Sequence, residues 1–502
     1  MSDQPRRHGE PAGPPRRGPL DPRAEEILET LSRMRTADAP THGGRVLSYV
    51  YDPGHEVLDT LAGAAMESAR PLNGLDPLTF PSIARMEKDL VRFATGITGG
   101  PRGKVFGSVT SGGTESCLLA VKTARDLWRQ QNPHSARRPR LLTSVTVHAA
   151  FQKAAALFDL DWDPVPVPAD GRVRAGEIID RLDDDVALVV LSAPAYPTGA
   201  IDPIAEVAGR TRERGLSLHV DACFGGLALP WWSGTQPWNF AVPGVTSISA
   251  DFHKYGYAPK GVSVLLHRGR RRHRAQFFAT SSWPAYPVVN PTLLGSKSAS
   301  PLAAAWAVIN YLGQDGYAEA VASCCRTTEA IIAAVENIDG LTVWGRPTGP
   351  ALALIADPSV PAGRRVDPHR MADEVRTTGF MLQHQPGYAQ SDDTSLPRSV
   401  HLTITPVTET VLPDLLAAVS DAADRVRGKR PHSAASIARI ARALYPRGNR
   451  PSPAMCALLL RLAGTGGGVP GRLGPLMALI EALPTAVTEA LLTELLARAS
   501  ED

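Results

Sequence analysis

Between about residues 60 and 310, short apolar runs alternate with stretches of helical periodicity. Leu141–Val147, Ala187–Leu191, Ser217–Val220 and Val262–Leu266 have strand length and strand composition. That alternation predicts an α/β large domain over 61–310, built on a central, mostly parallel sheet. Downstream the pattern changes. A long helical stretch, Gly316 to Ile338, is followed by apolar runs at Leu341–Trp344, Ala351–Ile355 and Val400–Ile404. These predict a smaller α+β C-terminal domain over 311–428. Upstream, Ile27, Leu28, Leu31 and Met34 recur at helical spacing from Pro22 onward, within an N-terminal segment, 24–60. Residues 1–23 are rich in Pro, Arg and Gly and bury too little apolar surface to order themselves, which predicts a disordered tail. A basic linker, Arg425 to Arg430, leads to a helical C-terminal extension, 433–499, broken at Gly464–Gly474. There are no internal repeats.

The length of 502 residues exceeds what one core serves, consistent with several domains. Apolar residues make up 43% and charged residues 21%, and the net charge is +3, so bulk charge gives no case for a nucleic-acid partner and none is expected. The five cysteines, Cys117, Cys223, Cys324, Cys325 and Cys456, are odd in number and lack metal-ligand spacing. No metal is expected, and a reducing, cytoplasmic location is. No apolar run approaches the roughly 18–20 residues of a membrane span, and the N-terminus lacks the apolar core of a signal peptide. The basic run His267–Arg274 follows a strand directly and is read as a solvated loop rather than a nucleic-acid or lipid patch. Leu458, Leu459, Leu462, Leu491, Leu492, Leu495 and Leu496 form stripes that suit packing on the body of the protein better than a membrane surface.

Four short segments carry candidate chemistry. Ser249-Ala250-Asp251-Phe252-His253-Lys254-Tyr255-Gly256 places a lysine in a glycine-containing turn before a strand, where an amine can be held for a carbonyl cofactor. Leu218-His219-Val220-Asp221 ends a strand on an acid, the edge at which α/β sheets bind ligands. Thr110-Ser111-Gly112-Gly113-Thr114-Glu115-Ser116 opens a helix with glycines and hydroxyls, an anion site, without the Gly-Lys-Ser/Thr ending of a P-loop. Val147-His148 ends another strand, where an imidazole can stack on an aromatic ring. Taken singly, each has a plain structural explanation: a surface lysine, a helix cap, a glycine turn, a core histidine. Occurring together in this order, they do not.

With the stretches VTSGGTES, VHAAFQKAA, SAPAYPTGAIDPI, HVDACFGG and SADFHKYGYAPKG, the chain resembles the pyridoxal-phosphate (PLP)-dependent group II decarboxylase superfamily, in its sphingosine-1-phosphate lyase-like branch, from about Arg45 to His401. The resemblance implies the fold of aspartate aminotransferase (fold type I) and pyridoxal 5'-phosphate as cofactor. It makes Lys254 the Schiff-base lysine and Asp221 the partner of the pyridine nitrogen, with His148 stacked on the ring. Gly113 and Thr114 would hold the cofactor phosphate, with His253 near it. Ser296 would reach the phosphate of the neighbouring subunit in a homodimer with shared active sites. Tyr51, Tyr196 and Lys260 match positions lining the substrate end, and Cys223 is read as a pocket-wall residue.

The chain departs from the lyase pattern at the substrate end. Asp76 stands where such lyases carry a histidine that helps bind the substrate phosphate, and an acid there repels a phosphate dianion. Leu47-Ser48-Tyr49-Val50-Tyr51 and Gly295-Ser296-Lys297-Ser298-Ala299 also differ from the usual Ser-Gly-Ala-Val-Tyr and Gly-Ser-Arg-Pro-Gly. Three functions follow as expectations. The first is a carbon–carbon lyase acting on a 2-amino-alcohol, phosphorylated or not, with Tyr196 or Lys254 handling protons. The second is an amino-acid decarboxylase releasing carbon dioxide, which needs a carboxylate-binding group such as Lys260 or Lys297. The third, a catalytically silent dimeric scaffold, gives no reason for the full set of Lys254, Asp221, His148 and the glycine turn.

Overall fold

The computed structural model describes residues 20–445, 449–462, 471–498 and 500–501. The tail expected over 1–23 lies mostly outside these residues, as does most of the break expected at 464–474. The large sheet has seven strands: β1 (Val105–Thr110), β2 (Arg140–Ser144), β3 (Asp161–Val165), β4 (Val186–Ser192), β5 (Leu218–Asp221), β6 (Ser247–Ala250) and β7 (Ser263–Arg268). Their order is β1-β7-β6-β5-β4-β2-β3. β7 runs antiparallel to both its neighbours, and every other pairing is parallel. All seven residues of β4 are buried, as befits a strand covered on both faces. Leu188 and Val190 join one apolar cluster with Val121, Trp128 and Phe151, while Val189 and Leu191 join the main core on the opposite face. The period-two alternation of the strand thus serves two helical layers.

A short hairpin, β8 (Phe278–Thr280) and β9 (Val288–Asn290), precedes the long helix Ser300–Val335. That helix begins well before Gly316 and runs across the boundary expected at 310/311. It kinks at Gly313, whose φ of 57° a residue with a side chain rarely adopts. The second sheet comprises β10 (Leu341–Val343), β11 (Ala351–Ala356), β12 (Gln383–Gln385) and, after the pair β13 (Tyr388–Ala389) and β14 (Ser395–Leu396), β15 (Ser399–Thr403). It is antiparallel in the order β10-β11-β15-β12. The N-terminal segment reaches this sheet: Leu47 N–H donates to Met381 (2.9 Å), and the Leu47 carbonyl accepts from Thr403 (2.8 Å). This anchor carries Tyr49 and Tyr51 toward the large sheet. The stripe Ile27, Leu28, Leu31 and Met34 does lie on a helix, Pro22–Met34, but is exposed in the single chain.

The basic run is not the loop its composition suggests. His267 and Arg268 finish β7, and Arg270–Gln276 is a short helix. Arg268 donates to the carbonyls of Val245 and Phe240, and His267 is buried against Gln276, so these residues hold backbone together. The C-terminal helices Ala435–Leu444, Pro453–Leu462, Gly474–Ala482 and Thr485–Arg498 surround an apolar cavity of about 310 Å³. They are tied to the small sheet at named points. Leu473 and Gly474 N–H donate to the Asp373 carboxylate (2.8 and 3.0 Å), and Glu481 accepts from Gly387 N–H and pairs with Arg398. Among the described residues, no helix is long and apolar enough to cross a membrane.

Candidate active site

The C-terminal ends of β1, β4, β5 and β6 point the same way, and the turns that follow them surround one cavity of about 380 Å³. This is the edge of an α/β sheet where ligands bind, because strand ends and helix N-termini converge there. Lys254, Asp221, His148, Gly113, Thr114, His253 and Tyr196, scattered over 142 positions of sequence, all line it.

Lys254 sits in the turn after β6. Its Nζ lies 2.8 Å from an oxygen of Asp251, which is 1% exposed. Burial disfavours the ammonium, but Asp251, with Tyr51 and Cys223 beyond it, outweighs burial and holds Lys254 well above its usual range. Burial likewise opposes the Asp251 carboxylate, and Lys254 and His253 together overcome it, keeping Asp251 well below its usual range.

Asp221 closes β5. Its Oδ1 accepts from Cys223 N–H (3.1 Å) and from Ser249 Oγ (3.2 Å), while neither bond uses Oδ2. Behind it, His219 is fully buried between Ser247 (2.9 Å) and Ser249 (3.1 Å), and burial lowers it to about 4, so the ring is neutral. Sequence reasoning did not single out His219 and Ser249. The signal was there in part: His219 stands two residues before Asp221, on the same strand face.

The glycine turn is shaped by contact. A Cβ on Gly113 would stand 2.6 Å from an Asp251 oxygen and 3.0 Å from Cys223 Sγ, so only glycine fits. No side chain caps the helix Gly113–Gln131, which leaves its first N–H groups available to an anion. Glu115, 7% exposed, performs a task the motif alone did not reveal. It accepts from Ser111 N–H (2.6 Å) and Oγ (2.8 Å), and from Leu293 N–H (2.6 Å). It thereby fixes the 293–298 loop beside the turn. His253 packs against Gly112 and accepts from Val262 N–H (3.2 Å). His148 caps the helix Ala149–Phe158 by accepting from Ala150 N–H at Nδ1 (3.2 Å). A pyridoxal phosphate group fits this donor set: an uncapped helix N-terminus for the phosphate, a carboxylate oxygen for the ring nitrogen and a lysine amine in the same cavity.

Residues assigned to the substrate end are less closely grouped. Tyr51 packs edge-on to Tyr255 (5.3 Å), and burial pushes its hydroxyl up to about 12. Lys260 Nζ lies 4.4 Å over the Tyr51 ring and donates to the His253 carbonyl (3.0 Å). Tyr196 stacks on His401 (4.0 Å), and its hydroxyl donates to Gln383, a residue of β12 that carries no motif. Ser296 and Lys297 line a neighbouring cavity of about 350 Å³ instead. There Asn73 donates to Ser296 Oγ (3.2 Å), and Gly74 N–H donates to the Lys297 carbonyl (2.7 Å). Asp76 is exposed. Its carboxylate is taken up by Thr79 Oγ1 (2.5 Å), Thr79 N–H (3.1 Å) and Leu78 N–H (2.9 Å), and the Thr79 hydrogen bond above all lowers it.

Comparison with known proteins bears on this geometry. The family described as pyridoxal-dependent decarboxylase conserved domain matches residues 49–344, and one described as pyridoxal-dependent enzyme, C-terminal putative HTH domain, matches 434–498. The chain is 32% identical to sphingosine-1-phosphate lyase 1 of Mus musculus over 386 residues, covering 76% of this chain and 64% of that one. The chain therefore spans just under two thirds of that relative. It is 35% identical over 265 residues to a probable L-tyrosine/L-aspartate decarboxylase of Methanoregula boonei, covering 52% of this chain and 69% of the other. Among solved structures, the Burkholderia pseudomallei K96243 sphingosine-1-phosphate lyase superposes with a TM-score of 0.74 at 30% identity, over 86% of this chain and 95% of that one.

Proposed function

Because the chain belongs to the pyridoxal-dependent decarboxylase family, we propose that it is a carbon–carbon lyase that cleaves a 2-amino-alcohol into an aldehyde and an amine. The observation that carries this reading is the charge distribution of the Lys254 cavity. Among the described residues that line it there is no arginine, and no lysine other than Lys254. A carboxylate destined to leave as carbon dioxide calls for a fixed cation. Lys260 is directed to a backbone carbonyl and the Tyr51 ring, and Lys297 belongs to the neighbouring cavity. The Tyr196 end instead offers hydroxyls and a carboxamide, which suit a substrate hydroxyl. The likeness to lyases named for sphingosine 1-phosphate supports the same choice.

The cofactor, when bound, supplies an electron sink for the bond that breaks. Asp221 would hold the pyridine nitrogen protonated, and Ser249, itself bonded to His219, holds Asp221 in place. Gly113 and Thr114 would bind the phosphate, and His148 would cover the ring. Lys254, which lines the cavity and is held by Asp251, would hold the cofactor and, when its amine is free, would move protons there. Tyr196 orients the substrate hydroxyl. Ser296 would reach the partner's cofactor phosphate in a homodimer, and five unpaired thiols suit a reducing cytoplasm.

On the sequence departure at Asp76, whose carboxylate is bonded to Thr79 and Leu78, weak activity on sphingoid 1-phosphates is expected, with Asp76→His improving it chiefly through KM. The direct test is mass spectrometry of products from phosphorylated and unphosphorylated 2-amino-alcohols and from amino acids. The expected product is an aldehyde. Carbon dioxide from an amino acid, with no aldehyde from any amino-alcohol, would establish the decarboxylase reading instead.

A further inference from the structure

Tyr196 lines the Lys254 cavity, and its hydroxyl is held by Gln383, which does not line it. Gln383 Oε1 accepts from the Tyr196 hydroxyl, and Gln383 Nε2 donates to Tyr49 Oη at 2.6 Å. The three residues come from three separate parts of the chain: the N-terminal segment, the loop after β4 and the small-sheet strand β12. Two tyrosine hydroxyls share one carboxamide, and the amide fixes the direction of both bonds. Its oxygen takes the Tyr196 proton, and the Thr403 side chain also bonds the Tyr196 hydroxyl, which leaves the Tyr196 oxygen one lone pair for a group in the cavity. That makes it an acceptor for a hydroxyl, not a donor to a carboxylate.

Neighbouring contacts keep Gln383 in register. His401 lies flat against the Tyr196 ring, 22° from parallel. Gln385, on the same face of β12, donates to the Pro197 carbonyl (3.4 Å). His384, on the opposite face, meets Asp373 (3.2 Å), the carboxylate that also receives Leu473 and Gly474 of the C-terminal helices. The strand that presents Gln383 is thus clamped from both sides.

We propose that Gln383 is the positioning residue for substrate-hydroxyl recognition: it commits the Tyr196 proton outward, so that Tyr196 accepts a hydrogen bond from the hydroxyl on the carbon next to the amine. The inference rests on the amino-alcohol reading and narrows it to substrates with a free hydroxyl at that carbon. Tyr49, which stands where the lyase pattern has alanine, fixes which end of the carboxamide faces Tyr196.

The test compares a phosphorylated 2-amino-3-hydroxyalkane with its 3-deoxy analogue on PLP-loaded enzyme. Affinities are read before turnover, in a stopped-flow titration of the cofactor's visible band. Wild type should bind the hydroxylated amine about tenfold more tightly, the scale of one hydrogen bond. Gln383→Leu should erase that ratio and lower kcat roughly 100-fold, the cost of a misplaced orienting group. Its affinity for the deoxy analogue should stay unchanged, which controls for folding and cofactor binding. Gln383→Glu, which keeps an acceptor for Tyr196, should retain most of the discrimination. A ratio that survives in Gln383→Leu, or wild-type aldehyde release by that variant, would overturn the role of Gln383 and leave the lyase reading standing. The expected ratios without aldehyde from any protein would support Gln383 and remove the lyase reading.

Discussion

Replacing Asp221 with asparagine separates the electron-sink role from folding. The aspartate Oδ1 accepts from Cys223 N–H and Ser249 Oγ. An asparagine keeps a carbonyl oxygen at that position, so both bonds persist and stability should change by no more than about 1 kcal/mol. The other carboxylate oxygen becomes an amide NH₂, a donor set against the N–H of a protonated pyridine. Asp221 is 7% exposed, so water does little to screen the lost charge. Removing one preorganised electrostatic partner in such a site costs about 3–4 kcal/mol of barrier, or roughly 100- to 1000-fold in kcat. The assay pairs steady-state turnover with the visible cofactor band and a thermal melt. Band and melt should be near wild type while kcat collapses. A well-folded Asp221→Asn enzyme with near-normal kcat would refute the reasoning.

Gly113→Ala should fold yet lose cofactor, since its methyl would enter the space of the Asp251 carboxylate at 2.6 Å; overpacking of about 1–3 kcal/mol corresponds to roughly 5- to 150-fold weaker PLP binding by equilibrium dialysis. Burial, with Lys254 nearby, lowers Lys260 to about 8, so its charge is present below that pH and lost above it. Because Lys260 is directed to the His253 carbonyl and the Tyr51 ring, KM for the phosphorylated substrate should stay flat as pH climbs through about 8, in wild type and in Lys260→Gln alike; a KM that rises only in wild type would place Lys260 on the substrate. Mixing Lys254→Ala protein with a variant lacking the Ser296 loop should restore part of the activity through heterodimers with one intact shared site. No recovery in verified heterodimers would count against sharing.

The residues proposed for the cofactor chemistry were legible because each lies at or within a few residues after a strand end, where a motif is local. Ser217–Val220 and Ala187–Leu191 read as strands within a residue or two of β5 and β4. β6 is only four residues long and β1 contains a glycine, and neither run stood out by apolar content. The antiparallel sense of β7 has no local signature, since direction is set by the path between strands. The basic run misled because arginines that bond carbonyls look, in sequence, like arginines that face water. Gln383 was invisible for a different reason: its meaning depends on Tyr196, 187 positions away, and on Tyr49, 334 away. Contacts of that range leave no periodicity to read.

The central claim is that one cavity, with Lys254 at its centre, holds the cofactor. It is tested most directly by loading the protein with PLP, reducing it with borohydride and mapping the modified peptide by mass spectrometry. A pyridoxyl group is expected on Lys254 and none in Lys254→Ala. A pyridoxyl group on Lys260 or any other lysine, or one that persists in Lys254→Ala, would contradict it.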